Sequence, residues 1–444
     1  MSMSHRRRAL LGATSVLAAS VVLAACSSSS SDSSPSPASS SAAEPSGSIS
    51  VITWRTDLIQ DGTFKKYVAA FKAKYPKVTD VKVEGLTNYE TDIKTRMNTD
   101  NYGDVLALPG TVLGKQIPEF FEPLGDQKEM EKTYRWIADK SYQGKSYGIP
   151  VVGNVQGVLY NTKVFAAAGI TSSPKTPDEF LADLKTIKAK VPGVVPLYTN
   201  YKDGWPLSAW TYYRGGVSDD PDFVNKFVTD PAPWTAGKDM AVIDGLLYDA
   251  VAQKLTEADP TTTNWEASKN LIGTGKIGVM FLGSWAIPQM QAAAVAAGKS
   301  ASDIGYMPFP SQVNGKFFAT SGGDYNLGIN VHSKNKVTAR AWIDWFNKDS
   351  GYSTTQVGLS PLVSGTIPEA LKSFTDQVEL ITLNPAPAGK EDLLNQVQKA
   401  AELSMDTPDY RKTIVDEARS GAKTKQQIFD ELNAQWKQGV EDAG

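Results

Sequence analysis

Apolar residues along this chain fall into short β-type runs and longer helical stripes, and the two alternate. Ile49-Ser50-Val51-Ile52-Thr53-Trp54 combines β-branched and aromatic residues and predicts a strand. Phe64, Tyr67, Val68, Phe71 and Tyr75 recur at helical spacing, and Pro76 stops that helix. Val81-Lys82-Val83 predicts a second strand, and Tyr89, Ile93 and Met97 stripe a second helix. Asp104-Val105-Leu106-Ala107-Leu108 is a short apolar run, as expected of a strand covered on both faces. That β-α-β-α-β order predicts an α/β unit with a mainly parallel sheet.

A second unit begins near Gly157-Val158-Leu159-Tyr160. Thr176-Pro177-Asp178-Glu179 reads as a capping box with proline at the first helical position. Phe180, Leu181, Leu184 and Ile187 form the stripe behind it. Further strands are predicted at 194–198, 277–281, 304–307 and 325–330. The last leads into a helix with Trp342, Trp345 and Phe346 on one face. From Glu391 onward the pattern is helical, with Ile428, Leu432 and Trp436 striping the final helix. No repeat at a solenoid period is visible.

The N-terminal segment breaks this rhythm. His5-Arg6-Arg7-Arg8 is basic, and Ala9 to Ala25 is an uncharged, mostly apolar run of 17 residues. A spanning helix needs about 20, so the run reads as the core of a signal peptide over 1–25. Leu23-Ala24-Ala25-Cys26 resembles a bacterial lipobox, in which the chain is cut before the cysteine and the thiol carries lipid. Cys26, the sole cysteine, is therefore the expected lipidation site. Arg7-Arg8 leaves twin-arginine export open beside the general route. Twelve of the 21 residues from Ser27 to Gly47 are Ser, so residues 26–47 read as an anchored tether with too little apolar surface to fold. No later run approaches a membrane span.

Composition narrows the chemistry. The 444 residues carry a net charge of −3, which argues against a nucleic-acid binder held by bulk charge. One Cys and two His exclude a disulfide within the chain and any Cys-based or His-rich metal site; no metal or cofactor is expected. A Ser-His-Asp triad would have to use His332, which reads more simply as a strand-end residue. The chain holds no G-x-S-x-G elbow and no phosphate-binding G-x-x-x-x-G-K-[ST] loop.

Several strings, in order over roughly 300 residues, resemble one family. They are Lys74-Tyr75-Pro76-Lys77-Val78, Gly144-Lys145-Ser146-Tyr147-Gly148-Ile149-Pro150, and Leu159-Tyr160-Asn161-Thr162-Lys163-Val164-Phe165 with Ala168-Gly169-Ile170 and Pro174-Lys175-Thr176-Pro177-Asp178-Glu179-Phe180. Gly275-Lys276-Ile277-Gly278-Val279-Met280 with Gly283-Ser284-Trp285, and Ser333-Lys334-Asn335-Lys336, complete the set. Together they resemble the bacterial extracellular solute-binding proteins of the carbohydrate type, maltose-binding-protein-like lipoproteins of ABC importers.

The resemblance implies an α/β, two-domain periplasmic-binding-protein-like fold with hinge crossings and an interdomain cleft. It implies domains of 48–153 plus 309–355 and of 154–308 plus 356–444. The crossings are expected near Val151 to Gln156, Pro308 to Pro310 and Gly351 to Leu359. It further implies a saccharide ligand, ABC permease subunits as partners, lipid attachment to the outer face of the cell membrane, a monomer and no catalysis. The rival reading is a lipid-anchored glycoside hydrolase, which needs two carboxyl groups about 5–5.5 Å or 6.5–9.5 Å apart. No run of eight β-α units supports the common barrel form of such an enzyme.

A sugar offers hydroxyls that need hydrogen-bond partners and flat C–H faces that suit aromatic rings. Loops at strand ends that border a cleft supply the candidates. They are Trp54, Arg55 and Asp57 after the first strand, Asn88 and Tyr89 after the second, and Gly110 and Thr111 after the third. Asn154 lies in the first crossing, Asp203 and Trp205 in a loop of the second unit, and Trp285 after the 277–281 strand. Gly322 and Gly323, where a backbone could approach a ligand closely, precede Asp324 and Tyr325. Tyr410 begins a late helix that could close the cleft.

Overall fold

The computed structural model describes residues 43–110, 112 and 114–444. The first apolar runs become β1 (Gly47–Thr53), β2 (Val78–Gly85) and β3 (Val105–Ala107), with β1 lying parallel between the other two. The helices Thr63–Lys74 and Tyr89–Arg96 connect them, as the stripes predict. Two long strands follow, β4 (Ile149–Asn161) and, much later, a 14-residue strand. Between them lie β5 (Val195–Leu197), β6 (Ile277–Gly283), β7 (Ile304–Met307) and the short β8 (Gln312–Val313). The long later strand is β9 (Lys316–Ile329), and β10 (Val378–Ile381) closes the set.

Among the described residues these ten strands form one sheet in the order β2-β1-β3-β9-β4-β6-β5, with β7 on β4 and both β8 and β10 on β9. The sheet is mixed rather than mainly parallel. β9 runs antiparallel to β3 and β4, and β4 antiparallel to β6. The sequence pattern hides this because β4 runs out of the parallel unit and β9 runs back into it from the second lobe.

Three cores flank the sheet. Ile49, Val51, Phe71 and Val105 pack with Trp342 and Phe346 in the first lobe. In the second lobe, Phe180, Leu197, Trp210, Ile243 and Trp436 cover one face, and Leu159, Met280, Met290 and Phe374 the other. β6 is buried along its whole length between those two layers, which explains its unbroken apolar run. The helix Pro177–Lys190 starts on Thr176, whose hydroxyl accepts from the Glu179 N–H at 3.2 Å. The predicted box is only half made, because Glu179 reaches the Lys175 N–H instead, at 2.7 Å.

The passages between lobes are strands, not loose linkers. Ser321 to Asp324 of β9 pair with Val155 to Val152 of β4. Core membership changes along this ribbon: Phe317 and Ala319 pack with the second lobe, Leu327 and Ile329 with the first. Pro308 to Pro310 is therefore not a passage. Phe309 is buried in the second lobe, 4.9 Å from the Tyr213 ring. Its flanking prolines look like a linker only while that packing is unknown. Tyr352 belongs to the first core and Leu359 to the third, where Leu359 exchanges backbone hydrogen bonds with Gly153 at 2.8 Å.

Candidate functional site

A cleft of about 920 Å³ opens where the ends of β1 and β6 and the paired interior of β4 and β9 come together with three helical segments. Its volume lies in the range of about 300–1,000 Å³ typical of small-molecule sites. Among the described residues three Trp, Tyr or Phe side chains are exposed: Trp205 (38%), Tyr212 (57%) and Tyr325 (38%). All three line this cleft. Burying aromatic surface is favourable by about 25 cal/mol per Å², so leaving three rings in water at one place marks a surface kept for a ligand.

The second lobe supplies a cluster of tryptophans. β6 ends at Gly283, and the chain folds back so that the Trp285 ring lies over that glycine; a Cβ at 283 would sit 2.9 Å from the ring. Trp285 then meets Trp205 at 5.6 Å and Trp265 at 5.8 Å between ring centroids, with Trp205 and Trp265 4.8 Å apart. The Asp203 carboxylate accepts from the backbone N–H of Trp265 at 2.8 Å and so fixes the chain at the back of the cluster. In the first lobe Trp54 stacks on Tyr325 at 3.7 Å and 8° and meets Tyr89 edge-on at 6.1 Å.

Charged groups lie between the rings. The Arg55 guanidinium donates to both oxygens of Asp57 (2.8 and 2.6 Å), to the Tyr352 hydroxyl (3.0 Å) and to the Gln356 carbonyl (2.6 Å). Arg55 holds the Asp57 carboxyl below the usual aspartate range. The Asn154 amide donates to Asp324 at 3.0 Å across the β4–β9 ribbon. Asp324 is half-buried, and loss of hydration inside the cleft pushes its carboxyl up to about 6, although the Asn154 hydrogen bond opposes this. The ionisable lining groups other than tyrosines are one arginine and two aspartates, with the arginine already paired. The arrangement suits an uncharged, hydroxyl-rich solute better than an anion.

The structure thus brings Trp54, Arg55, Asp57, Asn154, Trp205, Trp285, Asp324 and Tyr325 into one cleft. Other candidates fall elsewhere. Tyr89 is buried, and its hydroxyl donates to the Ala107 carbonyl at 2.8 Å. Asn88 is exposed but not among the lining residues. The Gly110 N–H is taken by Glu90 at 3.0 Å. Thr111 and Cys26 lie outside the described residues. Asp203 braces Trp265 rather than lining the cleft. Tyr410 is buried and borders a different cavity of about 630 Å³. Gly323 is not free for close approach: a Cβ there would lie 2.8 Å from Pro150 and 3.1 Å from Trp136, so strand packing explains this glycine. His332 sits beside Asp100 at 3.3 Å and does not line the cleft.

Sequence reading missed Ser208, Ala209, Tyr212, Pro288, Gln289, Ala292, Tyr352, Thr355 and Gln356. A signal was present. Trp205, Ser208, Ala209 and Tyr212 stand at i, i+3, i+4 and i+7, and so do Trp285, Pro288, Gln289 and Ala292. Tyr352, Thr355 and Gln356 repeat the first three steps. Each set is one face of a helical turn.

The sequence model of one family, described as bacterial extracellular solute-binding protein, matches residues 56–352. The chain is 25% identical to the diacetylchitobiose-binding protein DasA of Streptomyces coelicolor, over 86% of each chain. It is 25% identical to the multiple sugar-binding protein of Streptococcus mutans, over 64% of this chain and 68% of that one. Two solved ABC-transporter and manno-oligosaccharide binding proteins from Bifidobacterium animalis subsp. lactis resemble it more. A mannobiose complex shares 37% identity and a TM-score of 0.80, covering 89% of this chain and 95% of that one. A mannotriose complex shares 35% and 0.79, covering 90% and 95%. These relatives and neighbours are binding proteins.

Proposed function

Because the chain belongs to the bacterial extracellular solute-binding protein family, we propose that it captures a short manno-oligosaccharide for an ABC importer. The observation that carries this reading is the gathering of every exposed Trp, Tyr or Phe ring of the described residues in one cleft, with Asp57, Asp324 and Asn154 between the rings. Rings take the C–H faces of a sugar, and carboxylates and amides take its hydroxyls. Two solved proteins alike at 35–37% identity hold mannobiose and mannotriose, which supports mannose units over other hexoses.

The protein is exported, as its family is. Within the proposal, Cys26 carries the lipid that holds it at the outer face of the membrane, and the 26–47 tether lets a monomer reach the permease subunits. The sugar leaves the cleft chemically unchanged. The paired β4–β9 ribbon bends as the lobes close on the ligand.

Calorimetric titration with mannobiose, mannotriose, maltotriose and raffinose tests this reading, together with chromatography of the recovered sugar. Saturable binding of the two manno-oligosaccharides, with both recovered intact, is the expected result. Preference for maltotriose or raffinose overturns the mannose assignment, and hydrolysed sugar overturns the binding-protein reading.

A further inference from the structure

Tyr325 sits in β9 but leaves the ladder. Asp324 pairs with Val152 and Asn326 with Pro150, so the register continues on either side of it. Its φ is 49°, in the left-handed region that a residue with a Cβ seldom adopts. That backbone turn throws the ring out of the strand and lays it flat on Trp54, 3.7 Å away and 8° from parallel. Trp54 is only half-exposed. One of its faces is covered by Tyr325, and Tyr89 meets it edge-on. A solute entering the cleft from solvent therefore meets Tyr325 before it meets the face of Trp54 that Tyr325 covers.

We propose that Tyr325 is the first lobe's sugar platform and that Trp54 is a positioning residue, a brace that holds the Tyr325 ring at the angle its unusual backbone sets. The inference rests on the saccharide reading above and assigns roles within it. Three features of the cleft support it. The stack uses up one face of Trp54 and leaves the outer face of Tyr325 toward the cleft. The Tyr325 hydroxyl makes no hydrogen bond to the described residues, so it is available to a sugar hydroxyl. Asp324 precedes it in the chain and points its carboxylate to the same cleft, which places an acceptor beside the ring.

The competing role for the same geometry is a plug: a tyrosine that occupies the place of a sugar on Trp54 and must leave before binding. The two roles predict opposite effects of removing the ring. Asparagine tolerates left-handed backbone, so Tyr325→Asn deletes the ring while keeping the strand comfortable. Tyr325→Phe keeps the ring and drops the hydroxyl. Trp54→Phe keeps a ring beneath Tyr325, and Trp54→Leu does not.

Mannotriose titration of the full exported chain, with thermal unfolding of each apo variant, decides the matter. The platform role predicts at least tenfold weaker binding for Tyr325→Asn, a loss within about threefold for Tyr325→Phe, and apo midpoints within a few degrees of wild type. It also predicts that mannotriose slows nitration of Tyr325 by tetranitromethane, read by peptide mass, which a merely structural tyrosine would not show. Trp54→Leu weakens binding, and Trp54→Phe restores most of it. Unchanged or tighter binding by Tyr325→Asn overturns the proposal in favour of the plug. Equal nitration with and without sugar overturns it too. If wild type binds none of the four sugars, the saccharide reading itself fails and this assignment falls with it; if wild type binds and Tyr325→Asn is unaffected, only the assignment fails.

Discussion

Trp205 and Trp285 touch, yet they sit in different surroundings. Trp205 is exposed and, among the described residues, has Trp265 and Trp285 as ring neighbours. Trp285 is half-buried against the core that holds Met280 and Met290. A role for Trp285 that leaves apo stability untouched, the simplest expectation for a ligand-stacking ring, does not suit that packing. Trp205→Ala is therefore the cleaner probe. It should weaken manno-oligosaccharide binding about tenfold, roughly 1.4 kcal/mol, while moving the apo unfolding midpoint little. Trp285→Ala should weaken binding and lower apo stability together. Calorimetry and urea unfolding of the two variants check the split, and equal apo losses would contradict it. At Asp324 the sign of a pH effect follows from burial. The native carboxyl titrates near 6, above the ordinary aspartate range. Between those values the native chain holds a proton that the unfolded chain has lost. This group's contribution to stability is therefore greatest at acid pH and falls as pH rises through about 6. Binding runs the other way if the carboxylate accepts sugar hydroxyls. Affinity should rise between pH 5 and pH 7, roughly the window around that value. The groups near Asp324 are Asn154, Tyr212, Tyr325 and Tyr352, none of the tyrosines shifted toward that window, and Asp139 at the Gly323 backbone, which burial also pushes up to about 6, so the Asp324 part is read from the variant. Asp324→Asn should flatten the profile, and a wild-type affinity independent of pH would exclude the carboxylate as an acceptor.

At the scale of elements, the cleft is assembled from helical turns, one directly after β6, one after Gly204 and one after the helix Lys336–Lys348. The Trp205, Trp285 and Tyr352 faces each follow a chain reversal that aims one side of a turn inward. The ribbon beneath them depends on glycines. Gly153 faces Gly323 in register, and a Cβ at Gly153 would lie 2.0 Å from the Trp136 ring. Trp136 is itself in left-handed backbone, φ 58°, and lies over both glycines. Packing a tryptophan onto paired strands needs those two side chains to be absent. Gly153→Ala should cost about 1–3 kcal/mol or more, because neither the ribbon nor the ring can move without disturbing a core. Apo thermal and urea unfolding measure this, and a neutral Gly153→Ala would show that Trp136 yields freely. Arg55 ties the same region together from the other side, joining the end of β1 to Tyr352 and Gln356.

At the scale of the whole molecule, the cleft walls come from two lobes with separate cores. A ligand gains its full set of contacts only when both walls reach it, so binding favours the closed arrangement by its extra contacts there. Small-angle scattering with saturating mannotriose should give a smaller radius of gyration than without it. Binding with an unchanged profile would argue against closure. The sequence alone carried much of this picture. Apolar period separated strands from helices, because burial on one face of a helix or two faces of a sheet leaves a local imprint. Ordered family strings gave the fold, the strand-end rule placed Arg55, Asp57 and Trp285 at a cleft, and the paired glycines before it pointed to Asp324. Local pattern could not say which way β4 and β9 run, since strand direction depends on pairing partners hundreds of residues apart. Nor could it see that Ser321-Gly322-Gly323-Asp324 is a strand, because Gly323 answers to Trp136 and Pro150 and not to its own neighbours. Tyr89 and Tyr325 have the same side chain. Only tertiary packing decided that one donates to a buried carbonyl while the other turns its ring to the solvent, because burial is set by what folds back onto a residue and not by the residue itself.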